Sequence, residues 1–305
     1  MTLQQLRVFL AIVEFGSFRR AARELGVSQA GLTNSLQALE VGLGVTLLLR
    51  SAMGVALTPE GKSLLARAQL IDREARRAVE EAHYARGDIG GTLHVGLGPT
   101  PTAALLQLVV PDFHRRFPAV KLKLSSGLYE QLLPPLQQGL IELALTAVPD
   151  EGPGPGFKSK TLFRSDLVVV GRRDHPRAAA HSLRDLADCE WILLGSPGGP
   201  GGTVTRFHAE QGLPPPRVAA TCESFTQLAA LISGTDWLAL LPAVVTKRGL
   251  LGTEVVAIKL KERSQGFENH LVYRADPPLT PAAAAFASMC ESGARIVGRG
   301  RSLTA

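Results

Sequence analysis

Gln29, Thr33, Asn34 and Gln37 are uncharged side chains that both donate and accept hydrogen bonds. They lie off a stripe formed by Leu32, Leu36 and Leu39 at four- and three-residue steps. A helix that buries leucines on one side and offers amides and hydroxyls on the other suits the DNA major groove, where base edges present donors and acceptors. A second group of residues could hold a small ligand. Pro99, Thr100, Thr102, Ser125, Ser126, Gly127 and Thr146 follow or close apolar runs in one part of the chain. Ser196, Gly202, Thr203, Ser224 and Phe225 do the same further on. Hydroxyls and backbone amides at the start of helices suit carboxylates and sulfonates, with Phe225 as the aromatic neighbour.

The first set needs a helix-turn-helix to position it. Ser17 caps a helix carrying Phe18, Ala21, Ala22 and Leu25, Gly26 stops it, and Ser28 caps the next. Leu3, Leu6, Phe9, Leu10 and Val13 form the face of a preceding helix that packs beneath the pair. Leu47 to Arg50 and Val55 to Thr58 read as a small hairpin, or wing, around Ser51-Ala52-Met53-Gly54. Thr58-Pro59-Glu60 starts a long helix running to about Arg86. Its Leu64, Ala68, Ile71, Ala75, Ala78 and Ala82 form a heptad seam expected to dimerise.

The second set needs a different frame. After the Gly87–Gly91 break, strands alternate with helices, which predicts a mostly parallel α/β sheet with right-handed crossovers. The strands expected are 93–97, 120–124, 142–147, 167–170, 191–194, 218–222, 237–241, 255–260 and 270–273. A helix from Pro281 to about Arg295 closes the pattern, with a disordered tail over 298–305. This region is long enough for two lobes with a ligand cleft between them, at the carboxyl ends of the strands.

With 305 residues, 45 % apolar and 20 % charged, two or three domains with packed cores are expected. The net charge of +6 is compatible with an anionic partner. Cys189, Cys222 and Cys290 form no C-x-x-C pair, so reduced thiols in a cytoplasmic protein are expected. The N-terminal stretch is no signal peptide, and no apolar run reaches the roughly 20 residues that span a bilayer.

The stretch LQQLRVFLAIVEFGSFRRAARELGVSQAGLTNSLQALEVGLGVTLLLR, followed by VALTPEG, closely resembles the LysR-type transcriptional regulators. FHRRFPAVKLKL, GLIELALTA, GRRDHP and LALLPA extend the resemblance over nearly the whole chain. It implies a winged helix-turn-helix over 1–58, a linker helix over 59–87 and a two-lobed, periplasmic-binding-protein-like α/β effector domain over 91–305. Lobe I would take about 91–161 and 267–297, and lobe II 162–266. Gln29, Ala30, Thr33 and Asn34 would then face base edges, with Ser28 and Gln37 also in the DNA-binding set and phosphates held by Ser17, Arg19 and Arg50. The resemblance further implies double-stranded DNA as partner, a homotetramer built as a dimer of dimers, and RNA polymerase contact if an activator; the hydroxyls and amides at the strand ends point to a small organic anion as effector. No cofactor or metal is implied. Ala30, Gly31, Thr33, Leu48, Leu49, Met53, Glu142 and Gly234-Thr235-Asp236-Trp237 depart from the family's usual residues, so the operator sequence does not carry over.

Catalysis is not expected. Gly96-Leu97-Gly98 lacks the third glycine of a dinucleotide loop, the 195–203 loop lacks a Gly-Lys-Ser/Thr ending, and the histidines show no metal spacing. The alternative to a regulator is a solute-binding protein, which would explain the second half but leave the N-terminal helices without a role.

Overall fold

The computed structural model describes residues 1–51, 54–84, 90–149, 151–196 and 199–301. Thr2 and Gln5 open the first helix by capping each other, and α1 (Leu3–Phe15) follows. Leu6, Val8, Phe9, Ala11 and Ile12 are buried in it. Its apolar face is therefore wider than the expected Leu3-Leu6-Phe9-Leu10-Val13 stripe, because α1 packs against three other helices rather than beneath one pair. These are α2 (Phe18–Glu24), α3 (Gln29–Leu43) and α4 (Pro59–Tyr84). The hairpin β1 (Leu48–Ser51) and β2 (Gly54–Leu57) makes the wing, in register Leu48↔Leu57 to Ser51↔Gly54. Ala52 and Met53 at its tip lie outside the described residues.

The chain divides into two compact units, Met1–Asp88 with Gln138–Leu140, and Ile89–Gln137 with Ile141–Ala305. The long helix thus groups with the head. Its first turns carry Leu64, Leu65 and Ala68 into the head's core, whereas Ile71, Ala78, Val79 and Ala82 are exposed. The expected seam therefore has two parts, the first packed within this chain and the second facing outward. The expected glycine break at 87–89 lies outside the described residues.

The second unit is built on a five-stranded sheet in the order β4-β3-β5-β12-β6. The strands are β3 (Gly91–Leu97), β4 (Val120–Ser126), β5 (Leu143–Ala147), β6 (Phe157–Ser165) and β12 (Phe267–Arg274). α5 (Pro99–Arg116), α6 (Tyr129–Gln137) and α10 (Pro281–Arg301) accompany them. The second lobe holds β7 (Leu167–Arg172), β8 (Glu190–Leu194), β9 (Arg217–Cys222), β10 (Ala239–Pro242) and β11 (Val255–Ile258). Its helices are α7 (Gly202–Glu210), α8 (Phe225–Gly234) and α9 (Ala243–Lys247). A bridge from Trp191 to Leu238 connects the β8-β9 pair to β10-β7-β11.

The expectation of a mostly parallel sheet fails. β3 pairs in parallel with β4 and β5, and β8 with β9. β12 runs antiparallel to β5 and β6, as do β10 and β11 to β7. β6, β7, β11 and β12 flank the two crossings between lobes, whereas β10 lies between α8 and α9. β6 is absent from the strands that the sequence predicts. It continues the first sheet to Ser165, past the expected lobe boundary at 161–162. α10 likewise runs to Arg301, into the tail expected to be disordered, and 302–305 lie outside the described residues.

Candidate nucleic-acid interface and effector cavity

α3 is positioned from both ends. Ser28 Oγ accepts from Gly31 N at 3.1 Å, so the hydroxyl expected near DNA is engaged as the helix cap. Leu32, Leu36 and Leu39 are buried, while Gln29, Ala30, Asn34 and Gln37 are exposed and Thr33 is half-buried. One helix thus carries an anchored apolar face and a free polar face. At the far end Glu40 Oε1 accepts from Leu47 N at 2.7 Å and Leu48 N at 3.3 Å, fixing where the wing leaves α3. Ser17 caps α2 weakly, its Oγ being 3.5 Å from Arg20 N, and Arg19 is exposed on the same helix. Arg50 sits in β1, but its side chain lies outside the described residues.

Thr58 holds the wing to the long helix. Its hydroxyl donates to Thr46 O at 2.8 Å and accepts from Gly61 N at 2.9 Å. Gly61 is required by close approach, since a Cβ there would lie 2.1 Å from Leu47 O. Lower in α4, Asp72 accepts from Arg7 Nε at 2.6 Å and lies 2.7 Å from an Arg76 guanidinium nitrogen. Burial raises the Asp72 pKa, but the hydrogen bonds from Arg7 and Arg76 outweigh it and hold the carboxyl below 3.8.

In the second unit a cavity of about 290 Å³ opens between the lobes, lined by Pro99, Thr100, Thr146 and Thr203 among the expected residues. The remaining expected residues lie elsewhere. Thr102 donates back to Gly98 O at 2.8 Å within α5. Ser125 and Ser126 end β4 rather than follow it, because they continue the parallel ladder opposite Gly96 and Leu97 on an exposed edge strand. Gly127, exposed Ser196 and Gly202 do not reach the cavity, and residues 197 and 198 of that loop lie outside the described residues. Ser224 is the N-cap residue of α8, and Phe225 packs into the second lobe's core.

Tyr129, Glu130, Glu151, Arg206 and Asn269 line the cavity instead and were missed. Tyr129 donates from its hydroxyl to Pro153 O at 3.0 Å; burial and then the Glu130 charge push its phenol above 10.0. Asn269 is fully buried, with Nδ2 on Ser165 Oγ at 3.1 Å and Oδ1 without a partner among the described residues. Asn269 stands between Glu268 and His270, so nothing in the strand FENHLVYR marks it as the buried polar residue.

Few backbone donors are left at the α5 end of the cavity. Pro99 and Pro101 have no N–H, and Thr102 N is bonded to Gly98 O, so Thr100 supplies the free amide of the α5 N-terminus. In the facing loop Gly202 N and Thr203 N are bonded to Gly199 O and Pro200 O. Glu130, Glu151 and Arg206 bring two carboxylates and one guanidinium to the cavity lining.

Comparison with known proteins agrees with this organisation. Residues 3–62 match the family described as bacterial regulatory helix-turn-helix protein, lysR family, and residues 86–295 match the LysR substrate binding domain. A probable hydrogen peroxide-inducible genes activator of Streptomyces viridosporus is 37 % identical over 193 residues, 61 % of this chain and 61 % of that protein. This chain therefore spans under two thirds of that relative's length. The SDS degradation transcriptional activation protein of a Pseudomonas species is 31 % identical over 292 residues, 93 % of each. The crystal structure of full-length CbnR complexed with its target DNA superimposes with a TM-score of 0.74 at 26 % identity, covering 96 % of this chain and all of that one. With the head and the two-lobed unit each matched by its own family description, the chain belongs to the LysR family of bacterial regulatory helix-turn-helix proteins.

Proposed function

We propose that this protein is a sequence-specific, effector-responsive transcriptional regulator working on the chromosome in the cytoplasm. The observation that carries the reading is the division of α3, with Leu32, Leu36 and Leu39 buried and Gln29, Ala30, Asn34 and Gln37 left free to meet base edges. Arg19 and Arg50 supply phosphate contacts that set register. The outward half of the long helix, with Ile71 39 % and Val79 57 % exposed, supports pairing of heads and binding of two half-sites. A dimer of dimers, contacting RNA polymerase when it activates, is the assembly we infer.

The signal enters at the cavity between the lobes, and the ligand works by binding one assembly state better than another. The lining of Glu130, Glu151 and Arg206 favours a compact ligand that offers a donor or cationic group beside its anionic one, rather than a simple organic anion. Neither Cys189 nor Cys290 supports a peroxide-reactive thiol. Reactivity needs a thiolate, whereas burial raises Cys189 and pushes Cys290 up to about 12.

Gel shifts test the division of labour. Asn34→Ala and Gln29→Ala should each reduce discrimination between operator and random DNA by about 1–3 kcal/mol. Arg50→Ala should instead weaken binding to all sequences and lower the salt slope. If both classes behave alike, the reading of α3 fails.

A further inference from the structure

The second unit has another concavity, about 890 Å³, behind the segments on which the chain crosses between lobes. It shares Leu167 and Leu240 with the inter-lobe cavity but opens along Ser165–Leu167 and the returning stretch Lys259–Ser264. Its apolar lining comes from both lobes: Phe163 of β6, Val297 of α10 and Val244 of α9, with the exposed Leu108 of α5 and Ile296 of α10. Its rim carries Lys247 and Arg248 at the end of α9 and Lys259 and Arg263 after β11, all four exposed. Among the described residues none of these cations is within ion-pair distance of a carboxylate. The acidic lining residues are Asp166, which already has a partner, and Glu262, whose carboxylate accepts from Leu183 N at 3.1 Å. The inter-lobe cavity, with two carboxylates and one guanidinium, has the opposite balance.

We propose that this groove is a second ligand site, for an amphiphilic anion such as a medium-chain carboxylate. The charged head lies on the α9–β11 cations of the second lobe, and the alkyl chain covers Leu108, Ile296 and Val297 of the first. An apolar floor with unpaired cations along one edge fits this class in both parts, since the tail removes apolar surface from water and the head keeps its charge at the solvent boundary. The volume lies within the roughly 300–1,000 Å³ of ligand pockets. A ligand spanning the crossing segments touches both lobes, so it reports on their disposition without entering the inter-lobe cavity.

Calorimetric titration of the full chain with decanoate below its micellar concentration tests the site, with decylammonium and acetate as comparators. Decanoate should saturate a single site per chain, while decylammonium and acetate should not bind. The double variant Lys247→Gln/Arg263→Gln should weaken decanoate about tenfold. Ile296→Glu, at a position 63 % exposed, should do the same without unfolding the protein. Arg206→Ala, in the other cavity, should leave decanoate affinity unchanged. Equal binding of decylammonium, indifference to the rim variants, or loss of binding in Arg206→Ala would each overturn the proposal. A change of oligomeric state in Ile296→Glu, seen by light scattering, would assign the groove to a second copy of the chain and also overturn it.

Discussion

Arg7 Nε lies 2.6 Å from Asp72 Oδ1, which ties the first helix of the helix-turn-helix head to the middle of the long helix across 65 positions of sequence. The Asp72 side chain is 7 % exposed while those of Arg7 and Arg76 are 39 % and 67 % exposed. The carboxylate is therefore the buried member, held by two cations that stay hydrated. Asp72→Ala should destabilise the head by about 1.5–3 kcal/mol, the range of hydrogen bonds to a charged group. Because the folded carboxyl titrates below its unfolded value of 3.8, its contribution is present above that pH and disappears as the pH falls through the folded value. Thermal melts of wild type and Asp72→Asn should differ at pH 6 and converge in acid; equal separation at both ends would remove Asp72 from the account.

Glu40 does for the wing what Asp72 does for the long helix. Its one oxygen takes two backbone N–H groups, from Leu47 and Leu48, at the point where the chain turns from α3 into β1. Glu40→Ala should cost about 1–3 kcal/mol by leaving half-shielded amides without an acceptor. Glu40→Gln, which keeps an acceptor oxygen, should cost less. Chemical denaturation followed by circular dichroism ranks the three proteins, and an alanine variant as stable as wild type would show that the amides find another partner.

These two contacts mark where reading the sequence stops. Ser17, Gly26, Ser28 and the Leu32-Leu36-Leu39 stripe act within a turn or two of themselves, so periodicity and capping rules locate them. β6, FKSKTLFRS, was invisible because it is an edge strand with Phe163 and Ser165 its buried residues, leaving almost no alternation to detect. Ser125 and Ser126 looked like a loop because hydroxyls followed an apolar run; their place in β4 is set by pairing with Gly96 and Leu97, which is tertiary. Glu130, Arg206 and Asn269 come from α6, α7 and β12, and no local pattern announces that the fold brings them to one cavity.

Two histidines give the second unit an acid limit. His208 is buried against Trp191, ring centroids 5.2 Å apart, and His270 is half-buried beside Glu268. Burial lowers both imidazoles below 6.5, more than the Val204 carbonyl or the Glu268 charge raises them. With folded values below unfolded ones, the unfolded chain binds protons first. Stability should be full above pH 6.5 and decline as the pH falls below it, levelling off beneath the folded values. Melting temperature of the second unit, followed from pH 8 to 5, should show this decline, and His208→Gln should flatten it. A melting temperature that rises on acidification would contradict the sign.

The cavity loop offers a contrast between glycines two residues apart. A Cβ on Gly201 would lie 2.5 Å from Gly195 O and 2.8 Å from Ser196 O, both backbone atoms that cannot move without breaking the loop. A Cβ on Gly199 would lie 2.4 Å from Glu130 Oε1, the end of a flexible and exposed side chain that can rotate away. Gly201→Ala should therefore destabilise the second unit by about 1–3 kcal/mol, the usual range for forced overpacking. Gly199→Ala should melt like wild type, yet it displaces the Glu130 carboxylate from the cavity wall. Ligands that bring a donor or cation to that carboxylate should then lose affinity while purely anionic ones do not. Thermal-shift screening of small organic acids and amino-acid-like compounds against Gly199→Ala and wild type separates the two glycines. A Gly199→Ala protein with lowered melting temperature, or with an unchanged ligand profile, would show that Glu130 does not shape this cavity.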